Sequence, residues 1–385
     1  MPAQNDLNKI LSYLLRLGLT GFGGPVALVG YMERDLVERE KLIAPDEFKL
    51  GLALANAAPG PLAGQLAMWI GYLKGGAWGA LLAGLAFVGP PVLLVIGLSV
   101  LYVEFQGLWR LHSFMKGMAP AVLVIMMLAS IRLARRTLGR RKLLWVIFGT
   151  LLVITAVFKT EIGYAFLAAG LLVMLAYAPV GKKATRVAEM TKAANIKIKE
   201  KILLSFLALA ALIALIASPL FLFFAKAGAF VFGTGMAILP FLYKGLVEDQ
   251  AWLTAQQFMD AVAVGSITPG PIMVATAFIG YLIKGLGGAL IAPLGVFTPV
   301  YFFTVLPAPY FKRYQNNPQL KAFVDGVTAA AIGALAGAVL ILIPKTLPDF
   351  KSLAIFLAAL PILTKSKIPD PLIVLAAGFF GLVIF

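Results

Sequence analysis

Apolar segments long enough to cross a lipid bilayer recur along the whole chain. Five of them cover residues 76–103, 114–131, 203–224, 289–306 and 323–343. Each is near or above the ~20 residues that a membrane-spanning helix needs. Only 13% of the residues are charged, against about 25% in an average soluble protein. The sequence has no alternating ten-residue strands, so helices must satisfy the backbone in lipid. It therefore predicts an all-α polytopic membrane protein.

A Pro-Gly-Pro motif interrupts two of the apolar regions. It occurs at residues 59–61 and again at residues 269–271, which are 210 residues apart. Proline lacks a backbone donor and clashes with the preceding helical turn, so each motif should break a helix. The same spacing relates Phe-Gly at residues 22–23 to Phe-Gly at residues 232–233. The sequence therefore predicts two copies of one unit, each with a broken helix.

The distribution of basic residues predicts opposite orientations for the two copies. Residues 132–142 carry six cations, whereas the equivalent loop of the second half is neutral. Residues 311–321 are basic, and their first-half equivalent is far less so. Because basic loops stay in the cytoplasm, we expect two inverted-topology repeats and about 10–13 membrane segments. The predicted units are residues 1–180 (first repeat), 181–202 (basic cytoplasmic linker), 203–217 (start of an extra membrane segment) and 218–385 (second, inverted repeat).

The composition also excludes several kinds of chemistry. The net charge of +16 falls in short loops, so topology explains it and no nucleic-acid partner is expected. Without cysteine there is no disulfide or thiolate metal site, and the one histidine, His112, has no partner cluster. We expect no cofactor, no metal and no enzymatic activity. Arg16 interrupts the first apolar stretch, so no cleavable signal is predicted.

Two cations occupy the same position of the two repeats. Arg16 and Lys226 are 210 residues apart, each six residues before a Phe-Gly pair. A cation within a membrane segment indicates a functional site, although both side chains could instead extend to an interface. Inverted repeats with broken helices are typical of secondary transporters, with helix termini facing the substrate. Together these features favour an oxyanion as the substrate.

Small and polar residues around the two breaks complete the predicted substrate site. The polar side chains could donate to an anion or cap a helix end. The glycines could admit a ligand or let helices pack closely. The full predicted set is Arg16, Phe22, Gly23, Gly24, Asn56, Pro59, Gly60, Pro61, Gln65, Lys226, Gly233, Thr234, Gly235, Ser266, Thr268, Pro269, Gly270 and Pro271.

One further pair of charged residues is a candidate for coupling proton transfer to transport. Lys116 and Asp325 occupy one repeat position with opposite charges. They could meet near the pseudo-twofold axis and carry a coupling proton, or each could mark the end of a segment.

Several motifs carry a resemblance to a known family. FGGP at residues 22–25, APGPLAGQ at 58–65, IGYLKGG at 70–76 and TPGP at 268–271 resemble the chromate ion transporter family in its long, two-domain form. The resemblance covers almost the whole chain. It implies chromate efflux across the cytoplasmic membrane of a prokaryote, with sulfate as a related oxyanion. The second repeat has Phe-Gly-Thr-Gly in place of Phe-Gly-Gly-Pro, so the two halves could contribute unequally to the substrate site.

Rival functions and other partners stay open at this point. A cation transporter or channel could use carbonyls at the breaks. Such a protein should also have acidic residues near them, but Asp260 is the only acidic residue within ten residues of either Pro-Gly-Pro motif. Sulfate-type anion uptake is a second alternative. An intramembrane enzyme would need a nucleophile or metal motif, which the sequence lacks. The expected partners are chromate or sulfate and membrane lipid, with a homodimer left open.

Overall fold

The computed structural model describes residues 2–105, 108–158, 163–177, 218–229, 235–314, 317–366 and 368–385. This described part consists of helices joined by turns and contains no strand, which confirms the predicted all-α class. The predicted linker at 181–202 and the extra segment at 203–217 lie outside it.

The first half contains seven α-helices in its described part, together with one π-helical turn. In chain order they are α1 Pro2–Thr20, α2 Gly24–Met32, the π-helical turn Glu33–Arg39, α3 Pro45–Ala57, α4 Leu62–Phe105, α5 Trp109–Leu138, α6 Lys142–Phe158 and α7 Gly163–Tyr177.

The described part of the second half has a similar order of elements, with two 3-10 helices and one short α-helix in addition. They are α8 Pro219–Ala229, the 3-10 helix Gly235–Ile238, α9 Leu239–Tyr243, the π-helical turn Lys244–Asp249, α10 Ala255–Ile267, the 3-10 helix Ile272–Val274, α11 Ala275–Val305, α12 Ala308–Tyr314, α13 Pro318–Thr346, α14 Phe350–Lys365 and α15 Asp370–Ile384.

Four helical stretches in the described residues are long and apolar enough to cross a membrane. They are Leu62–Phe105, Trp109–Leu138, Ile272–Phe311 and Pro318–Thr346. Shorter apolar helices accompany them, and the predicted extra segment lies outside the described residues. The multi-pass class is therefore confirmed, while the total of 10–13 segments stays a prediction.

The longest helix, α4, folds back on itself. Gly76 has φ +60° and ψ −148°, a conformation that L side chains rarely adopt. An ideal Cβ on Gly71 would lie 2.2 Å from the carbonyl oxygen of Gly79, and one on Gly84 would lie 2.9 Å from the Met68 side chain. Both contacts join residues on opposite sides of Gly76, so the two arms of α4 run antiparallel.

Equivalent positions of the two halves share this local geometry. In α11, Gly285 has φ +57° and ψ −149°, close to the values at Gly76. An ideal Cβ on Gly280 would lie 2.1 Å from the carbonyl oxygen of Gly288. Lys41 and Ala251, 210 residues apart, are the two described non-glycine residues with positive φ. These correspondences agree with a duplicated unit, whereas the opposite orientation of its copies stays a prediction.

The two halves exchange their terminal hairpins. Helix α5 of the first half packs against α14 and α15, whereas α13 of the second half packs against α6 and α7. An ideal Cβ on Gly117 would lie 2.7 Å from Gly381 Cα, and one on Gly326 would lie 2.9 Å from Gly170 Cα. Small residues allow such close backbone approach between helices in lipid. Each half therefore completes the core of the other.

Candidate substrate site at the helical hairpins

The first Pro-Gly-Pro motif lies at the tip of a helical hairpin. Helix α3 ends at Ala57 and α4 begins at Leu62. The Trp69 indole nitrogen donates to the Glu47 carbonyl over 3.0 Å, so α3 and the first arm of α4 run side by side. The motif was predicted to break a spanning helix. It does end a helix, but the chain reverses instead of continuing, and Gly60 at φ +144° permits the turn.

The second motif forms an equivalent tip. Helix α10 ends at Ile267, and the 3-10 helix Ile272–Val274 leads into α11. An ideal Cβ on Gly265 would lie 2.6 Å from the Ala275 Cβ across the tip. Gly270 has φ +87°. Each tip therefore brings the C-terminal end of one helix beside the N-terminal end of the next, where carbonyl and amide groups without helical partners accumulate.

Each tip packs against the long helix of the other half. An ideal Cβ on Gly60 would lie 2.9 Å from Val300 Cγ1, and one on Gly270 would lie 3.0 Å from Pro91 Cγ. Val300 and Pro91 are themselves 209 residues apart, the same separation as between the equivalent glycines Gly76 and Gly285. Both predicted motifs are thus placed at the interface between α4 and α11, which pack against each other.

The glycine-rich stretch of the first half meets the second tip. The Gly270 amide donates to the Gly21 carbonyl over 2.9 Å. Gly23 and Gly24 follow at φ +107° and +77° and are exposed. Gly23 is the N-cap of α2 and Gly24 is its first residue. Helix α2 has no side-chain hydrogen bond at its N-terminal cap. The structure therefore joins two predicted parts of the site, which come from different halves.

The second glycine-rich stretch is only partly described. Gly233 and Thr234 lie outside the described residues. Gly235 begins a 3-10 helix, and an ideal Cβ there would lie 2.9 Å from Ile272 Cγ2, immediately after the second tip. Phe22 is exposed beside the first glycine-rich stretch.

The four predicted polar side chains donate to carbonyls of their own hairpins. The bonds run from Asn56 to Leu52 (2.7 Å), Gln65 to Pro59 (2.8 Å), Ser266 to Val262 (2.8 Å) and Thr268 to Gly265 (3.2 Å). None of the four caps a helix N-terminus within the described residues. The Gln65 Oε1 atom is buried and has no hydrogen-bond partner there, so it can accept one further donor.

Arg16 and Lys226 occupy equivalent places near the ends of α1 and α8. Both are exposed on the surface of the protein. In the part of the chain that the structure describes, no carboxylate lies within 4.0 Å of either cation. Arg16 lies five residues before Gly21, whose carbonyl contacts the second tip. Their positive charges are therefore available to bind an anion or to extend to the membrane–water interface.

Lys116 and Asp325 do not meet, contrary to the pairing considered from the sequence. Asp325 accepts a hydrogen bond from Arg141 Nη1 over 2.6 Å. The Lys116 ammonium lies 5.8 Å from the centroid of the Phe385 ring. The exchange of hairpins explains the difference, because Arg141 directly precedes α6 of the first half and Phe385 directly follows α15 of the second.

A buried carboxylate near the second tip is a further candidate that the sequence did not place in the site. Asp260 on α10 is only 3% exposed. Its Oδ2 accepts from the Tyr102 hydroxyl over 2.7 Å, and its Oδ1 accepts from Gln256 Nε2 over 2.8 Å. The sequence signal was a lone acid within an apolar stretch. Among the described residues, no group of three His, Cys, Asp or Glu side chains could hold a metal ion.

Helical hairpins that reverse within an apolar bundle are typical of polytopic membrane transporters. The family model for chromate transporters matches residues 8–181 and 218–382. The chain therefore belongs to the chromate transporter family.

Curated relatives match over nearly the whole chain. It is 46% identical over 384 residues to a chromate transport protein of Cupriavidus metallidurans, covering 98% of this chain and 93% of the relative. It is 42% identical to a probable chromate transport protein of Synechococcus elongatus, covering 98% and 95%. It is 30% identical to a chromate transport protein of Pseudomonas aeruginosa, covering 100% and 94%. No solved structure matches the chain.

Proposed function

We propose that the protein is a secondary transporter that exports chromate across the cytoplasmic membrane, with sulfate as a related substrate. The observation that carries this proposal is the 46% identity, over 98% of the chain, to a protein named as a chromate transport protein. All three of the relatives described above are named for chromate transport, not for an enzymatic reaction.

We propose that the oxyanion binds where the second hairpin tip meets the Phe22–Gly24 stretch. The bond from Gly270 to Gly21, the residue before Phe22, links these two segments, and α2 begins beside them with Gly23 as its N-cap residue. Free amides at a helix N-terminus favour anions. A dianion needs several donors or cations in an apolar environment. Arg16, five residues before Gly21, is the proposed cation of this site, and Lys226 is its proposed counterpart at the equivalent position of the second half.

We also propose that residues 1–180 and 218–385 are inverted repeats. The equivalent kinks at Gly76 and Gly285, the equivalent hairpin tips and the two separate family matches support the duplication. The opposite distribution of basic loops supports the inversion. In such an arrangement, one repeat could move against the other around a central site.

The membrane potential can drive export of a dianion. Moving one elementary charge through 100 mV involves about 2.3 kcal/mol, and chromate carries two negative charges. An inside-negative potential would therefore favour net outward movement. Potential-driven export and electroneutral exchange predict different responses to an imposed potential.

The test is radiolabelled flux in proteoliposomes that contain the purified protein. Chromate, sulfate and rubidium are measured in parallel, with and without an imposed potential. We expect saturable chromate flux that responds to the potential, weaker sulfate flux, and no rubidium flux above protein-free vesicles. Rubidium flux without oxyanion flux would instead support a cation pathway lined by hairpin carbonyls. Sulfate flux that exceeds chromate flux would support sulfate-type uptake.

A further inference from the structure

Asp260 is a buried acid whose charge no cation balances in the described structure. It lies on α10, which leads directly to the second hairpin tip. Around it, α10 packs against α4, α5, α11 and α15. Tyr102 of α4 is the titratable side chain that contacts the carboxylate. From α5, α11 and α15, no described charged or titratable side chain forms a hydrogen bond or ion pair with it.

Burial of an unpaired carboxylate is costly, and taking up a proton removes that cost. The two hydrogen bonds to Asp260 determine which oxygen can take the proton. Gln256 Nε2 can only donate, so Oδ1 must remain an acceptor. The Tyr102 hydroxyl can donate or accept, so a proton on Oδ2 can be donated to Tyr102 after the hydroxyl turns.

Asp260 is also close enough to the second tip to respond to charge there. It lies seven residues before Ile267, the last residue of α10. This separation corresponds to about 10 Å along the helix axis. Charges at this distance interact strongly in a bundle interior that excludes water and salt. A dianion at the tip would therefore disfavour the negative carboxylate and favour its protonated form.

We propose that Asp260 is a proton-binding site whose occupancy is linked to oxyanion binding at the second hairpin tip. This inference rests on the oxyanion function proposed above. Proton uptake converts the carboxylate to a neutral acid, with the new O–H bond on Oδ2. By linkage, oxyanion binding promotes proton uptake and proton uptake promotes oxyanion binding to the same degree.

The proposed linkage also involves residues from both halves of the protein. Tyr102 belongs to the first half and Asp260 to the second, and their hydrogen bond joins α4 to α10. The Tyr102 ring packs edge-to-face on Phe278 of α11, with centroids 4.9 Å apart. A change in proton occupancy therefore reverses the direction of a hydrogen bond between the two halves.

The test measures equilibrium binding of radiolabelled chromate to the purified protein across the alkaline range in which chromate is a dianion. In wild type, we expect the Kd to rise with pH by up to about tenfold per unit, the limit for one linked proton. The Asp260→Asn variant, which resembles the protonated state, should bind chromate with a Kd that is nearly independent of pH. The control is Asp349→Asn, which alters an exposed acid and should keep the wild-type slope.

A second measurement does not depend on a variant. Infrared difference spectra of wild type with and without chromate should show a new carbonyl band from a protonated carboxylic acid. A pH-independent Kd in wild type, no such band, or an unchanged slope in a folded Asp260→Asn variant would overturn the proton site and leave the oxyanion function in place. No saturable chromate binding at all would overturn both proposals.

Discussion

Gln65 combines a satisfied donor with an unsatisfied acceptor inside the first hairpin. Its amide nitrogen donates to the Pro59 carbonyl over 2.8 Å, which holds the tip against the start of α4. Its Oε1 atom is buried without a partner among the described residues. Unsatisfied buried acceptors are rare and costly. We therefore expect this atom to accept a hydrogen bond from water or from another protein donor during transport.

Replacement of Gln65 by methionine tests this interpretation. The variant loses the bond to Pro59 but also removes the unsatisfied acceptor, so the two effects on the free energy of unfolding should largely offset each other. We expect a nearly unchanged apparent Tm and a fall in chromate flux of about tenfold, equivalent to ~1.4 kcal/mol. A large fall in the Tm of the variant would show that Gln65 has a structural role. Chromate flux at the wild-type level in the variant would contradict a role of Gln65 in transport.

Sequence reasoning at the residue scale identified equivalent positions but not contacts. The 210-residue offset correctly matched the two Pro-Gly-Pro motifs, whose glycines have equivalent neighbours. It could not show that Asp325 meets Arg141 instead of Lys116, nor that Tyr102 meets Asp260. Both contacts join helices from different halves. Which helices of the two halves meet is a property of the packed bundle and leaves no periodic signal in the sequence.

At the scale of elements, close backbone contact defines the hairpin within α4. An ideal Cβ on Gly71 would lie 2.2 Å from the Gly79 carbonyl oxygen. We expect Gly71→Ala to force the two arms apart and to destabilise the protein by about 1–3 kcal/mol. Gly97→Ala is the matched control in the same helix, because no atom lies within 4 Å of its ideal Cβ.

The thermal stability of both glycine variants is measured in detergent, by size-exclusion chromatography of heated samples. Gly71→Ala should lower the apparent Tm, whereas Gly97→Ala should leave it unchanged or raise it slightly, since alanine favours helix. Equal melting temperatures for the two variants would mean that the arms of α4 do not pack as closely as described.

The carboxylate of Asp349 caps the start of α14. The Asp349 carboxylate accepts from the Ser352 backbone amide over 2.8 Å and from its hydroxyl over 2.9 Å. The bond from the Ser352 amide holds the pKa of Asp349 below its usual value. The stabilisation is therefore complete above the usual pKa of an aspartate and is lost as pH falls through the lowered value.

Replacement of Asp349 by alanine should cost about 1 kcal/mol at neutral pH through loss of the helix cap. The difference in apparent Tm between wild type and variant should shrink in acid, where the wild-type carboxyl is protonated. A difference that stays constant from neutral to acidic pH would contradict a role for the ionised carboxylate.

The sequence predicted the ends of these elements better than their directions. Proline chemistry placed helix ends at both Pro-Gly-Pro motifs, and α3 and α10 do end there. It did not predict that the chain reverses at each tip. Reversal depends on Gly51 and Gly265 giving room to Trp69 and Ala275 across the hairpins. Those contacts become visible only when both arms are placed.

At the scale of the whole molecule, the halves are interlocked. Helix α5 packs on α14 and α15, and α13 packs on α6 and α7. We therefore expect the halves to stay together when the chain between them is cut. A protease site inserted within residues 182–201 allows this cleavage after purification.

Size-exclusion chromatography in detergent then follows the two fragments. They should co-elute at the position of the uncut protein and retain chromate flux after reconstitution. Separation of the fragments, while the uncut protein stays monodisperse, would contradict the exchanged-hairpin arrangement.

Matched cations in the two halves are proposed to bind the oxyanion that crosses the membrane. Chromate flux in proteoliposomes tests this proposal most directly, with Arg16→Gln, Lys226→Gln and the control Lys284→Gln, which removes a cation at the turn of α11. A hydrogen bond to a charged group contributes about 1.5–3 kcal/mol of stabilising free energy. We therefore expect folded Arg16→Gln and Lys226→Gln to lose about tenfold or more of the flux, with Lys284→Gln near wild type. Wild-type flux in both test variants would contradict the proposal.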